Sequence, residues 1–210
     1  MGQVAVRYIS AFVLAVALIV VAPAADADSH LDKSQAFIRD LADRAVENLT
    51  NKEFTTEEQR LKFQELFREG FAVDGIARFV AGRYWRRASK SEREEYLVLF
   101  EDVVVNIWSD RLFSQYNGQQ FDILGARDDT PANSQELVAV VESRIQTTPH
   151  TSVKVEWRVA SLGELTKIVD VKVEGRSLAK TQQDEFTGFA SKNGRRFSAI
   201  IEELRRRRDG

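Results

Sequence analysis

Two histidines, no cysteine and a scattering of carboxylates are the chain's main means for catalysis. His30 and His150 form no pair at metal-ligand spacing, and no serine and aspartate accompany either in a triad-like arrangement. Both histidines read as solvent-exposed. Neither GxGxxG nor GxxxxGK[ST] occurs, so nucleotide chemistry has no support. The pairs Glu57-Glu58 and Asp128-Asp129 lie in polar stretches, where nothing would desolvate a carboxyl and tune it as an acid or base. An acid with a phenol, Asp74 or Asp170 with Tyr84, is the arrangement an enzyme would need. Asp74 is equally well explained as a helix-start residue favoured by the macrodipole. Cations offer more. Arg78, Arg83, Arg86 and Arg87 surround Tyr84-Trp85, and guanidinium forks match phosphate oxygens, so the cluster could hold a lipid phosphate or meet an anionic membrane surface. The simpler reading makes these arginines the wet side of a short helix and its exit, with Trp85 in the core. Arg205 to Arg208 end the last helix, where cations complement the helix dipole.

The elements that position these groups are helices, then strands, then helices. Asp32 to Leu49 carries apolar residues at Phe37, Ile38, Leu41, Ala42, Ala45, Val46 and Leu49, the spacing of a helix with one buried face. Thr55 and Glu58 form a capping box that opens a second helix, and Gly70 closes it. A short helix over Val73 to Ala81 ends at Gly82. A second capping box, Ser89 with Glu92, opens a helix running to about Tyr116, and Asn117-Gly118 stops it. At 1.5 Å per residue this helix would be roughly 40 Å long, the full width of a domain whose radius of gyration is roughly 16 Å. A curve or break near Asp110 is expected. From Leu97 to Trp108 its apolar residues fall on nearly every side, so it is either a central core helix or one that divides its surface between core and cavity.

Four strands follow, over Gln120 to Ala126, Glu136 to Ile145, Ser152 to Ala160 and Thr166 to Glu174, separated by turn clusters. An antiparallel meander is the natural arrangement. Val153, Val155, Trp157 and Val159 alternate with Lys154, Glu156 and Arg158, and Val169, Val171 and Val173 alternate with Asp170, Lys172 and Glu174. One face is buried and the other wet. Two helices, with Phe186, Phe189, Phe197, Ile200, Ile201 and Leu204 as their apolar positions, close the chain. The fold class is α+β: a four-stranded antiparallel sheet wrapped by helices.

Arg7, the apolar run Ile9 to Val21 and the site Ala25-Asp26-Ala27 have the form of a secretory leader cleaved before Asp28, with cleavage after Ala22-Pro23-Ala24 as the second choice and an uncleaved membrane anchor as the alternative. The run is short for a membrane span. Residues 1–27 are therefore read as a signal peptide and 28–210 as one domain, with no Pro-, Gly- or Ser-rich linker to divide it. An exported chain without cysteine relies on packing instead of disulfides. Thirty basic against 32 acidic residues leave a net charge of −2, which argues against nucleic acid as a partner.

The stretches GFAVDGIARFVAGRYWRRAS (Gly70 to Ser89), LFEDVVVNIWSDRLFSQYNG (Leu99 to Gly118) and KIVDVKVEGRSLAKTQQDEF (Lys167 to Phe186) resemble, in the same order, the MlaC or toluene-tolerance family and its hopanoid-associated relatives. Ile107-Trp108 stands where that family tends to show a Thr-Tyr pair. The resemblance implies a cystatin-like roll whose curved sheet and helices enclose lipid tails in an apolar cavity. It also implies a periplasmic phospholipid carrier working between an outer-membrane lipoprotein partner and an inner-membrane ABC transporter assembly, with transient membrane-surface contact. No enzymatic step, cofactor or metal is implied. A hopanoid or other isoprenoid is the alternative cargo, and a small periplasmic enzyme acting on an apolar substrate is the alternative in kind. The expected lipid-lining residues are Phe79, Tyr84, Phe100, Val104, Trp108, Val155, Trp157, Val169, Val171 and Phe186.

Overall fold

The computed structural model describes residues 25–115, 118–148 and 150–209, and their side chains from Ser29 onward except at 108–115. The leader reading lies outside these residues but for Ala25-Asp26-Ala27, which open the first helix, and so does the side chain of Trp108. Helices α1 (Ala25–Thr50), α2 (Thr56–Gly70), α3 (Val73–Ala81) and α4 (Lys90–Gln115) precede strands β1 (Phe121–Asp128), β2 (Leu137–Thr148), β3 (Thr151–Leu162), β4 (Leu165–Val173) and β5 (Arg176–Ser177). Helices α5 (Leu178–Lys192) and α6 (Phe197–Asp209) complete the chain. None of the described helices is long and apolar enough to cross a membrane.

Both capping boxes form. The Thr55 hydroxyl accepts from the Glu58 amide at 3.2 Å while the Glu58 carboxylate accepts from the Thr55 amide at 2.7 Å. Ser89 and Glu92 repeat the exchange at 3.3 and 2.8 Å. Each satisfies two amides that a helix start leaves without partners. Residues 82–87, expected as the exit of α3, wind into a 3₁₀ turn that brings the chain to α4. Helix α4 continues past Asp110 without a break.

The sheet has five strands, not four, in the order β1-β2-β3-β4-β5, each antiparallel to the next. Glu174 (φ 48°) and Gly175 (φ 76°) make a two-residue turn with both residues left-handed, the hairpin geometry that matches strand twist. It folds Arg176-Ser177 back on Val173 and Lys172. Two residues are too few to carry a period, so β5 left no alternation in the sequence.

Strand β4 departs from simple alternation. The register runs Val155↔Val173, Trp157↔Val171, then Val159↔Ile168, with a shift between Arg158 and Val159. Val169 is the extra residue of a β-bulge, and Ile168, 1 % exposed, takes the inward position that simple alternation assigns to Val169. The opposite face is not uniformly wet either, since Val138, Val140 and Ala160 are buried on it. Elsewhere that face is charged, with Lys154 3.4 Å from Glu142 and 3.2 Å from Glu156.

Apolar burial divides into two clusters. One is helical: Ala77, Val80, Tyr84, Tyr96, Leu99, Phe100, Phe186, Phe197, Ile200 and Leu204 pack α3, the 3₁₀ turn, α4, α5 and α6 together. The other joins Ile38 and Leu41 of α1 and Leu66 of α2 to Val141, Val159 and Ile168 of the sheet. Each fully buried Val, Leu, Ile or Phe contributes about 1.5–3 kcal/mol, so each cluster is a core in its own right. Phe71 bridges to Ile168, and the Ala72 amide donates to the Ile168 carbonyl at 2.9 Å, fastening the α2–α3 corner to β4.

The arginine run at the end of α6 is largely matched by carboxylates. Glu203 is buried and accepts from Arg206 at 2.6 Å and Arg207 at 2.8 Å. The Arg206 hydrogen bond first, then that of Arg207, outweighs burial and lowers the Glu203 carboxyl from 4.5 to about 2. A carboxylate depressed in the folded state stabilises above its unfolded pKa, and that contribution is lost as pH falls through the folded value. Glu203→Gln is therefore expected to lower the unfolding temperature at pH 7. The gap to the parent protein should close between pH 4.5 and about 2, measured by thermal unfolding across that range. A gap independent of pH would contradict the assignment.

Candidate functional site

The inner face of the sheet is the surface on which the expected tail-binding residues gather. Strand register lines up Val141, Trp157 and Val171 in one row and Ser143, Val155 and Val173 in the next. Ala139, Val159 and Ile168 form a third. The first and third rows meet α1 and α2, with Phe121, Ile123 and Ala126 extending the apolar surface across β1. Phe121 sets its ring edge against Trp157, centroids 6.3 Å apart at 77°.

One polar group sits in this surface. Ser143, fully buried, donates its hydroxyl to the Val155 carbonyl at 3.0 Å and accepts from the Trp157 indole N–H at 2.8 Å. The two bonds satisfy both partners and fix the indole plane, as a buried polar group requires. Trp157 signals its position through alternation, but nothing in the sequence marks Ser143 as its anchor. A small polar residue opposite an inward Trp is the signal that would find it.

The helical residues expected to line the cavity lie elsewhere. Tyr84, Phe100 and Phe186 are buried in the helical cluster, and Val104 packs against it half-buried. Phe79 is 48 % exposed on α3. Val155, Trp157 and Val171 therefore share one surface, whereas Tyr84, Phe100, Val104 and Phe186 share another. The sheet is gripped by α1, α2, α3 and α5, while α4 packs chiefly on α6, α2 and α3. Two concavities that the described residues line are polar clefts of about 370 and 300 Å³ in which charged side chains predominate.

The acid–phenol arrangement does not come together. The Tyr84 hydroxyl lies 3.1 Å from the Ser191 hydroxyl and accepts from Arg83 at 3.3 Å. Asp170 instead accepts from the amides of Val171 (2.9 Å) and Ala179 (3.2 Å), tying β4 to the first turn of α5. Asp74 is 3.9 Å from Arg78, an exposed pair one helical turn apart. His30 corrects its expected exposure: it is 8 % exposed, with Nε2 3.2 Å from an Asp128 oxygen. The long reach of α1 toward its amino end places it against the sheet edge. His150 is exposed. Among the described residues no three His, Asp or Glu side chains form a group able to hold a metal. Trp85 lies between Arg78 and Arg93, their guanidinium carbons 5.7 and 5.3 Å from the ring, with Phe197 edge-on at 6.3 Å.

Comparison with known proteins gives the family and a structural neighbour. The family model described as MlaC protein matches residues 39–206, and the chain belongs to that family. A solved structure with the same fold is that of a phospholipid-binding protein from Ralstonia solanacearum in complex with a phospholipid. It has a TM-score of 0.67 at 17 % identity, over 83 % of this chain and 96 % of that one. No curated protein matches the chain.

Proposed function

We propose that this protein is a periplasmic phospholipid carrier that sheathes acyl tails against the inner face of its sheet. It would pass them between an outer-membrane lipoprotein partner and the substrate-binding subunit of an inner-membrane ABC transporter. Membership of the MlaC family carries the reading. The fold shared with the Ralstonia solanacearum protein, which holds a phospholipid, supports the cargo. The chemistry of the surface agrees. A sixteen-carbon tail left in water costs on the order of 12 kcal/mol, and the rows around Val155, Trp157 and Val171 supply apolar surface with its one buried hydroxyl already bonded. A carrier must also release its load, which favours apolar contacts over strong polar ones. Nothing in the reading calls for an enzymatic step or a cofactor.

Two tests follow. The purified protein is expected to accelerate movement of a fluorescent phospholipid from donor to acceptor vesicles, with a rate that scales with protein concentration; a rate equal to the protein-free background would sink the carrier role. Export is tested separately. Amino-terminal sequencing of the exported protein is expected to begin at Asp28, because Ala27 closes the A-x-A site. A chain that retains Ala11 to Val20 and sediments with membranes would contradict a soluble shuttle.

A further inference from the structure

The cleft of about 370 Å³ is lined by Arg83, Tyr84, Arg87, Ser191 and Arg195, from the 3₁₀ turn, the end of α5 and the turn leading to α6. It rests on the helical cluster, and no sheet residue lines it. Three guanidiniums converge there, and among the described residues no carboxylate lies within ion-pair distance of any of them. Arg44, Arg68, Arg158 and Arg205, by contrast, each meet a carboxylate.

The Arg83 guanidinium and the backbone that carries Arg195 are held in place. Arg83 donates through Nη2 to the Ser191 hydroxyl at 2.9 Å and to the Tyr84 hydroxyl at 3.3 Å. Ser191 in turn donates to the Thr187 carbonyl at 2.7 Å. The network pins one end of the guanidinium and leaves its other N–H donors uncommitted. Arg195 stands in the left-handed region (φ 55°) directly after Gly194 (φ 79°), its amide donating to the Ala190 carbonyl at 2.8 Å to close α5. That backbone is uncommon for a non-glycine residue and is sustained here by the hydrogen bond that closes the helix. Burial raises the Tyr84 hydroxyl, yet the Ser191 hydrogen bond first, then the Arg83 hydrogen bond and the charges of Arg83 and Arg195, bring it below the ordinary phenol value.

We propose that Arg83, Arg87 and Arg195 form a binding site for a phosphate group, carried by a lipid headgroup or free in solution. Guanidinium forks accept phosphate oxygens in pairs, and one phosphate would neutralise the charge that the cleft leaves unmatched. The site is separate from the tail-binding face and does not depend on it.

The full mature protein is compared with the Arg87→Gln/Arg195→Gln double variant. These two side chains are exposed and make no side-chain hydrogen bond among the described residues, so the variant should unfold at the parental temperature. Exposed Arg144 and Arg176, replaced together by Gln, give a control with the same loss of charge. The probes are inorganic phosphate, followed by calorimetry, and vesicles of phosphatidylglycerol in phosphatidylcholine, followed by sedimentation. Parent protein is expected to bind at least one probe, the cleft variant at least tenfold more weakly, and the control as the parent does. Weakened phosphate binding with no vesicle binding identifies a free phosphate as the ligand. Weakened vesicle binding that inorganic phosphate also displaces identifies a headgroup. Binding of neither probe by the parent overturns the proposal, as does equal weakening in the cleft variant and the control, or no weakening in the cleft variant.

Discussion

Val171→Asp is expected to fold and to lose most of its co-purifying phospholipid, by tenfold or more relative to the parent. Val171 lies opposite Trp157 on the inner face, half-buried at the margin of the sheet cluster. With acyl tails against that face, the new carboxylate would be placed in hydrocarbon at a cost of several kcal/mol. Every 1.4 kcal/mol is tenfold in affinity. An emptied face open to water could hydrate the same charge, so folding suffers less than binding. Leu41→Asp provides the contrast. Leu41 is buried between α1 and the sheet, and its Cδ1 lies 2.8 Å from where a Cβ on Gly70 would stand. Leu41 is packed there against Gly70 and the sheet cluster, and the variant should fail to fold. Val104→Asp, on the margin of the helical cluster, is the companion measurement. Thermal unfolding beside lipid extraction separates the outcomes, and a folded Val171→Asp protein with its full lipid content would remove the inner face from the binding site.

Phe100→Ala should be the most damaging truncation for stability, at about 3–5 kcal/mol, from lost burial and the cavity left behind. Phe100 is 1 % exposed in the helical cluster, its ring 5.7 Å from that of Tyr96. Tyr96 is itself fully buried and donates to the Ala77 carbonyl at 2.7 Å, and burial raises its hydroxyl far above the ordinary phenol range. The aromatic stack continues to Phe197, 5.1 Å from Tyr96, so one vacancy would loosen α3, α4 and α6 together. For a domain of this size the loss corresponds to about 6–20 °C in unfolding temperature. Denaturant unfolding measures it directly, and a change below about 1 kcal/mol would mean that the helical cluster is not packed as described.

These two residues also mark where sequence patterns inform and where they stop. Period and capping locate helices well: Thr55 with Glu58 and Ser89 with Glu92 announce their helix starts because the exchange is local. Alternation likewise puts Val155 and Trp157 on one face, as the register confirms. Alternation fails at Val169, since a bulge inserts one residue and hands the inward place to Ile168, and only the partner strand shows where the shift falls. Arg176-Ser177 forms a strand through the backbone of the Glu174-Gly175 turn, which side-chain pattern does not record. Nor does an apolar period say what an apolar residue touches. Phe100 and Val155 look alike in sequence, yet one is packed among helices and the other lies on the sheet. The arginines of the cleft were half legible: Arg83 and Arg87 stand beside Tyr84, whereas Arg195 and Ser191 arrive from more than a hundred positions away.

Native mass spectrometry of the exported protein, purified without detergent, tests most directly whether it carries a phospholipid. A mature chain beginning at Asp28 is expected, together with a species heavier by one phospholipid, whose fatty acids and headgroup appear on fragmentation. That heavier species should be absent from Val171→Asp. A protein that carries only a hopanoid or isoprenoid, or that shows the bare polypeptide mass under conditions retaining other lipid complexes, would contradict phospholipid carriage.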